Sequence, residues 1–187
     1  MKTKADMEIS LFTKCLFEFI GTLVLVLLGD GVVASTVLKR SKGFDGGWIV
    51  ITIAWGLAVM CGVLIAGPYS GAHLNPAVSV GLAVAGSFPW AYVPGYVAAQ
   101  LLGGFCGAVV VYLYYKDHFD ATDDPAAKLG VFCTMPAIMD KPRNLFCEVV
   151  GTFLLVFVIL AIGNEQNTPE IGMGSLGSFP VTMLIMA

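Results

Sequence analysis

Charge is what this chain has least of: Asp, Glu, Lys and Arg make up 12% of its 187 residues, and residues 46–115 contain none of them. A soluble domain carries about 25% charged residues, so a molecule wetted on every face is excluded. Basic clusters are missing too. The longest is Lys39-Arg40 with Lys42, and with a net charge of -3 this argues against nucleic acid as a partner. His73 has no second His, Cys or carboxylate at ligand spacing, which argues against a metal site. The five cysteines (Cys15, Cys61, Cys106, Cys133 and Cys147) are odd in number and scattered, so no disulfide framework fits them and they read as small hydrophobes. Nucleophile–base pairs and phosphate-binding glycine loops are also absent, so no cofactor is expected.

What is present is apolar length. Hydrophobic residues make up 57% of the chain, the mean hydropathy is +0.84, and runs of about 20 residues cross a bilayer core of about 30 Å. Residues 16–38, 48–66, 90–115 and 145–162 meet that length, and a fifth run opens near Ile171. The first run exceeds a signal-peptide core and lacks a cleavage site after it, so it reads as a retained span. Residues 72–85 are apolar but too short to cross, which predicts a re-entrant half-span entering and leaving on one side. Residues 39–47, 116–143 and 163–170 are polar links, the second of them expected to be a solvated loop. Dense glycines (Gly21, Gly29, Gly56, Gly62, Gly95, Gly103, Gly104 and Gly107) suit helices whose backbones approach closely. Orientation stays open, because Lys2, Lys4 and Lys14 before the first span are matched by Lys39, Arg40 and Lys42 after it.

The chain also repeats itself. Glu18-Phe-Ile-Gly21-Thr22 matches Glu148-Val-Val-Gly151-Thr152 at an offset of 130 residues. Three spans lead from the start of the first copy up to the second, and an odd number inverts the second copy in the membrane, the signature of an inverted-repeat transporter or channel. By that offset a partner for Asn75 falls near position 205, so the second repeat is expected to be incomplete: a first repeat over about 11–115 and part of a second over about 144–187.

Ser70-Gly71-Ala72-His73-Leu74-Asn75-Pro76-Ala77-Val78 occupies the half-span. Asn-Pro starts a helix well, since proline needs no amide donor at the first helical position. A half-helix opening at Asn75-Pro76 near the midplane would place about half a positive charge there, repelling cations and protons while the Asn75 amide donates to a neutral hydroxyl. Gly71, Ala72, His73 and Leu74, extended before it, would offer a ladder of carbonyl acceptors to water or polyols in file.

These residues resemble the major intrinsic proteins, the aquaporins and glycerol facilitators. The resemblance rests on residues 70–78, the two Glu-x-x-Gly-Thr copies and Ala54-Trp55-Gly56-Leu57-Ala58-Val59, and it reaches from Glu18 to the end of the chain. It implies an all-α, aquaporin-like inverted-repeat bundle in the plasma membrane, a homotetramer with one pore per subunit, and no enzymatic chemistry. It implies Asn75, Pro76 and Ala77 as the pore motif, with Trp55 as one wall of the selectivity filter. It also gives Glu18 and Glu148 the task of accepting re-entrant loop amides, against the alternative that Glu18 snorkels to the interface. Leu74 and Trp55 are similar to the glycerol-conducting branch, so glycerol, small polyols and water are the expected permeants. The alternatives are a water-selective pore, a chain that does not conduct by itself, and a membrane enzyme using Glu18, Glu148 and His73 as acid–base groups. Trp48 and Trp90, at run edges, are expected at the membrane boundary. Asp30 is expected to be an exposed residue there, with a vestibule acceptor as its alternative. Asn144 and Asn164 are expected to be caps or loop residues of the fourth span.

Overall fold

The computed structural model describes residues 9–164, 167 and 176–187. Glu165, Glu170 and the opening of the fifth run at Ile171 lie outside these. Among the described residues the protein is all helix: α1 Leu11–Val37, α2 Gly47–Ser70, α3 Pro76–Val84, a 3-10 turn at Trp90–Tyr92, α4 Val93–Tyr114, α5 Lys116–Ala121, α6 Pro125–Gly130, α7 Lys141–Ile162 and α8 Phe179–Met186. Four of these stretches are long and apolar enough to cross a membrane: Leu11–Val37, Gly47–Ser70, Trp90–Tyr114 and Lys141–Ile162. The chain is a multi-pass membrane protein.

Two spans, α1 and α7, begin earlier than hydropathy alone places them, because their caps sit in polar flanks. The Ser10 hydroxyl accepts from the Thr13 amide and opens α1, and the Asp140 carboxylate accepts from the Arg143 amide and opens α7. Each supplies an acceptor to a first turn whose amides have no partner in the helix. Asp140, and not Asn144, is therefore the cap of the fourth span; Asn144 lies inside its first turn and donates to the Ile138 carbonyl. Gly71, at φ 85°, closes α2 in the left-handed conformation that glycine adopts without strain.

Helices α1, α2 and α4 form the compact part of the bundle. Gly103 and Gly107 of α4 face the α1 backbone, where a Cβ on Gly103 would lie 2.3 Å from the Phe19 carbonyl oxygen and one on Gly107 2.7 Å from that of Leu23. The ascending order of these contacts makes α1 and α4 parallel. Contacts of Gly21 with Ala66 and of Gly29 with Trp55 run in opposite order, so α2 is antiparallel to α1. Where lipid removes most of the hydrophobic drive for helix pairing, such backbone proximity supplies the dispersion contact that holds helices together. Helix α8 docks on Gly56 of α2 through Met186 and Thr182. Helix α7 meets α3 where Val156 faces Gly81, and otherwise buries none of its residues.

Two expectations fail here. Residues 116–143 are not simply a solvated loop, because α5 and α6 turn Phe119 and Val131 inward against Ala34, Leu38 and Val111. Thr122, buried with them, accepts from the Lys39 amide at 2.9 Å, and Lys39 pairs with Asp123 at the surface. The acidic residues of this link occupy its outer side, and their density in the sequence masks the few apolar residues that anchor it. Asp30 is not an exposed boundary residue either: it is only 8% exposed, lining a cavity between α1, α2 and α6. Ile51 and Trp55 of α2 and Ala126, Ala127 and Gly130 of α6 line that cavity with it and cover it. Trp48 and Trp90 are exposed on the outside, Trp48 also forming part of the same cavity's rim.

Candidate functional site

The centre of the bundle is built around one carboxylate. Glu18, in the third turn of α1, is completely buried at 0% exposure. Four donors converge on it: the Ser70 hydroxyl at 2.7 Å and the His73 amide at 2.9 Å on Oε1, the Leu74 amide at 2.8 Å and the Gln100 side-chain amide at 2.8 Å on Oε2. A buried carboxylate is costly unless its lone pairs are filled, and here both oxygens are shared between a backbone amide and a side chain.

The segment it holds is strained. Gly71, Ala72 and Leu74 all have positive φ, at 85°, 51° and 52°. For Ala72 and Leu74 that conformation costs about 1–2 kcal/mol each, so it persists only because its surroundings over-determine it. The Ala72 amide donates to the Ser70 hydroxyl at 3.1 Å, and the Tyr96 hydroxyl donates to the Ser70 carbonyl at 2.8 Å. The Leu74 side chain fills the space left by two glycines facing each other across α1 and α2, where Cβ atoms at Gly21 and Gly62 would come within 2.6 and 2.8 Å of its methyls. With the loop's amides turned to Glu18 and Ser70, its carbonyls face elsewhere. Among the described residues no protein donor reaches the carbonyls of Gly71, Ala72, His73 or Leu74.

Asn75 follows in extended conformation (φ -153°, ψ 127°) and caps α3, its Oδ1 accepting from the Ala77 amide at 2.8 Å while Pro76 occupies the first helical position. That contact fixes the amide orientation and leaves Nδ2 as a donor with no protein acceptor among the described residues. Ala77, lying beneath it, contributes its backbone amide to the cap. The His73 ring is packed between Phe88 and Tyr96, with centroids 4.4 and 5.0 Å away, and its Nδ1 meets the Ser79 hydroxyl at 3.0 Å. Gln100 donates to that hydroxyl as well, at 3.0 Å. The imidazole is thus part of the scaffold.

Trp55 lies toward the other end of the bundle. Its indole covers Gly29, where a Cβ would approach the ring within 2.6 Å, and it shares the cavity that Asp30 lines. Glu148 is exposed on α7, among Val149, Thr152, Phe153 and Val156 along an open apolar groove, and no loop amide reaches it within the described residues. The carboxylates of the two repeat copies are therefore in different situations, one saturated and one open.

Three residues of the central network escape sequence reasoning: Tyr96, Gln100 and Ser79. Only Gln100 carries a signal, as a long polar side chain in an uncharged span, where such groups are rare and need partners. Its partner could not be named without the fold.

Comparison with known proteins places this arrangement. The sequence pattern of the major intrinsic proteins matches residues 6–187. The "Probable glycerol uptake facilitator protein" of Thermotoga maritima is 57% identical over 151 residues, covering 81% of this chain and 64% of that protein. Glycerol uptake facilitator protein of Bacillus subtilis is 52% identical over 151 residues, 81% of this chain and 55% of its own length. Glycerol uptake facilitator protein 3 of Lactiplantibacillus plantarum is 49% identical over 181 residues, 97% of this chain and 73% of its own. The chain thus spans between about half and three quarters of these relatives. The solved aquaglyceroporin of Plasmodium falciparum superposes with a TM-score of 0.83 at 32% identity, covering 95% of this chain and 71% of that one. With an all-helical bundle, a re-entrant half-helix capped by Asn75 and a family pattern spanning nearly its whole length, the chain belongs to the major intrinsic protein family.

Proposed function

We propose that the chain forms part of a plasma-membrane channel for glycerol and other small neutral solutes, with water, moving down their gradients. The observation that carries this reading is the row of four carbonyls, Gly71 to Leu74, unpartnered among the described residues and ending at an Asn75 amide donor likewise without acceptor, inside a bundle of spanning helices. Non-helical backbone at that depth is tolerated only where it is buried in protein or lines a water-filled path. Carbonyls followed by a donor suit a file of hydroxyl-bearing molecules, whose O–H groups both donate and accept. The amino end of α3 opposes cations. Trp55 would provide an apolar wall for the solute's carbon backbone.

An enzymatic role for Glu18, Glu148 and His73 finds no support in this geometry. Glu18 is spent on four donors, His73 is packed away, and Glu148 stands on a separate helix. Repeats over about 11–115 and 144–187 and Glu148 as a loop anchor complete the proposal by analogy with the first half, and a homotetramer is proposed from the family alone.

The test is glycerol-driven reswelling of proteoliposomes. The 187 residues alone leave the α7 face and Glu148 open, and are expected to give flux close to that of empty liposomes. Joined to the carboxy-terminal portion of the Lactiplantibacillus plantarum relative, they are expected to raise glycerol flux at least about tenfold without ion conductance. A joined chain that inserts and still passes no glycerol would overturn the reading. In that chain, Trp55→Ala removes the wall against which carbon slides and should shift the glycerol-to-water flux ratio severalfold. An unchanged ratio takes Trp55 out of the filter.

A further inference from the structure

Asp30 has no place in the network described above. It is nine-tenths buried, yet it borders a cavity of about 840 Å3 open to solvent between the carboxy-terminal half of α1, the amino-terminal half of α2 and helix α6. Among the described residues no hydrogen-bond donor or cation reaches its carboxylate. A buried carboxylate without protein donors is destabilising to the protein that carries it, and the Asp30 oxygens, which are not sealed off, meet the cavity, where water or a hydroxyl-bearing solute supplies the donors. The surroundings restrict which ligand. Val33 and Ile51 provide apolar wall, Thr36 and Thr52 provide hydroxyls, and Trp55, seated on Gly29 next to Asp30 in sequence, forms part of the same lining. The hydroxyls of Thr36 and Thr52 already donate to carbonyls in their own helices, so neither offers its proton to Asp30. The other acidic residue of the lining, Asp45, is exposed on the rim.

We infer that this cavity is a polyol-binding mouth in which the Asp30 carboxylate accepts two hydroxyls from neighbouring carbons of the solute, selecting vicinal polyols before they reach Trp55. A carboxylate with two oxygens matches a vicinal diol in spacing and in donor–acceptor sense, and such charge-assisted bonds are the stronger kind. The apolar walls take the carbon side of the same molecule. The inference rests on the channel reading for its purpose, but not for its measurement.

Cys133, exposed on the rim of the same cavity, provides a reporter, and Cys147 on α7, outside it, provides an internal reference. The purified chain in detergent is alkylated with N-ethylmaleimide, and the two cysteines are followed peptide by peptide with glycerol, erythritol or 1,2-dimethoxyethane present at equal osmolality. At twice its Kd a polyol should slow Cys133 about threefold relative to Cys147, whereas the ether, which has no hydroxyl to donate, should not. Asp30→Asn and Asp30→Val should weaken that protection about tenfold while the unfolding temperature holds or rises, since an unpaired buried charge has been removed. Equal protection by polyol in wild type and in both variants would overturn the assignment. So would protection by sodium or potassium chloride in place of polyol, which would make the site a cation site. Flux is read separately in the joined chain: loss of glycerol conduction with the Asp30-dependent protection intact removes the channel reading and leaves the binding mouth standing.

Discussion

Glu18→Gln is expected to unlock the re-entrant segment. The substitution keeps size and shape but turns one of two acceptor oxygens into a donor. Either the Ser70 hydroxyl and His73 amide, or the Leu74 amide and Gln100, then face an N–H group instead of a lone pair. Two buried donors lose their acceptor, and bonds to a charged group contribute about 1.5–3 kcal/mol each, so a loss of about 3–5 kcal/mol is expected. In detergent this should lower the unfolding midpoint by about 10 °C. The specific readout is amide hydrogen exchange. His73 and Leu74, protected in the wild type, should exchange at least about tenfold faster in the variant, because protection tracks the free energy of local opening, while amides in the middle of α4 change little. Glu18→Asp, one methylene shorter, cannot serve both loop amides together and should fall between the two. If Glu18 merely reached for the membrane surface, none of the three proteins would differ.

That expectation could be framed from the sequence only in outline. Apolar length marks four spans, and the Asn75-Pro76 pair inside an uncharged stretch marks the half-helix, because both signals are local. The donors that complete the Glu18 site are not local. Ser70, His73, Leu74 and Gln100 lie 52, 55, 56 and 82 residues away, and only the antiparallel pairing of α1 with α2 and the parallel pairing with α4 bring them together. The same holds for Asp30. Its position near the end of a span is legible, whereas the cover given by α2 and α6 is a tertiary fact. In residues 116–143 the apolar anchors Phe119 and Val131 are diluted among aspartates, and periodicity over helices of six residues is too short to read. Glycines stand between these cases. Their abundance announces close helix packing, but which of them touches a backbone and which merely faces lipid is decided by rotation about the helix axis.

Gly103 and Gly104 put that distinction to the test, being adjacent in α4 and alike in sequence terms. A Cβ at Gly103 would lie 2.3 Å from the Phe19 carbonyl oxygen, 3.1 Å from its carbon and 3.2 Å from the Leu23 nitrogen, all of them backbone. Backbone atoms cannot rotate aside, so Gly103→Ala must push α1 and α4 apart along a seam that Gly107 also keeps close, costing about 3 kcal/mol. The damage extends beyond stability. Helix α4 carries Tyr96 and Gln100, and a displacement of even 1 Å, roughly a third of a hydrogen-bond length, stretches the contacts they make with Ser70 and Glu18. Faster exchange at the His73 and Leu74 amides should therefore accompany a lower unfolding midpoint, even though Gly103 touches neither residue. At Gly104 the nearest side-chain atoms would be Val26 Cγ2 at 3.7 Å and Thr22 Cγ2 at 4.0 Å, ordinary contact distances. Gly104→Ala should be neutral or stabilising by about 0.5–1 kcal/mol, since alanine restricts the unfolded chain and favours helix. Opposite signs from neighbouring glycines would tie the strained loop to the α1–α4 seam. Equal, small effects from both would mean that the two helices are free to separate and that the loop is held by Glu18 alone.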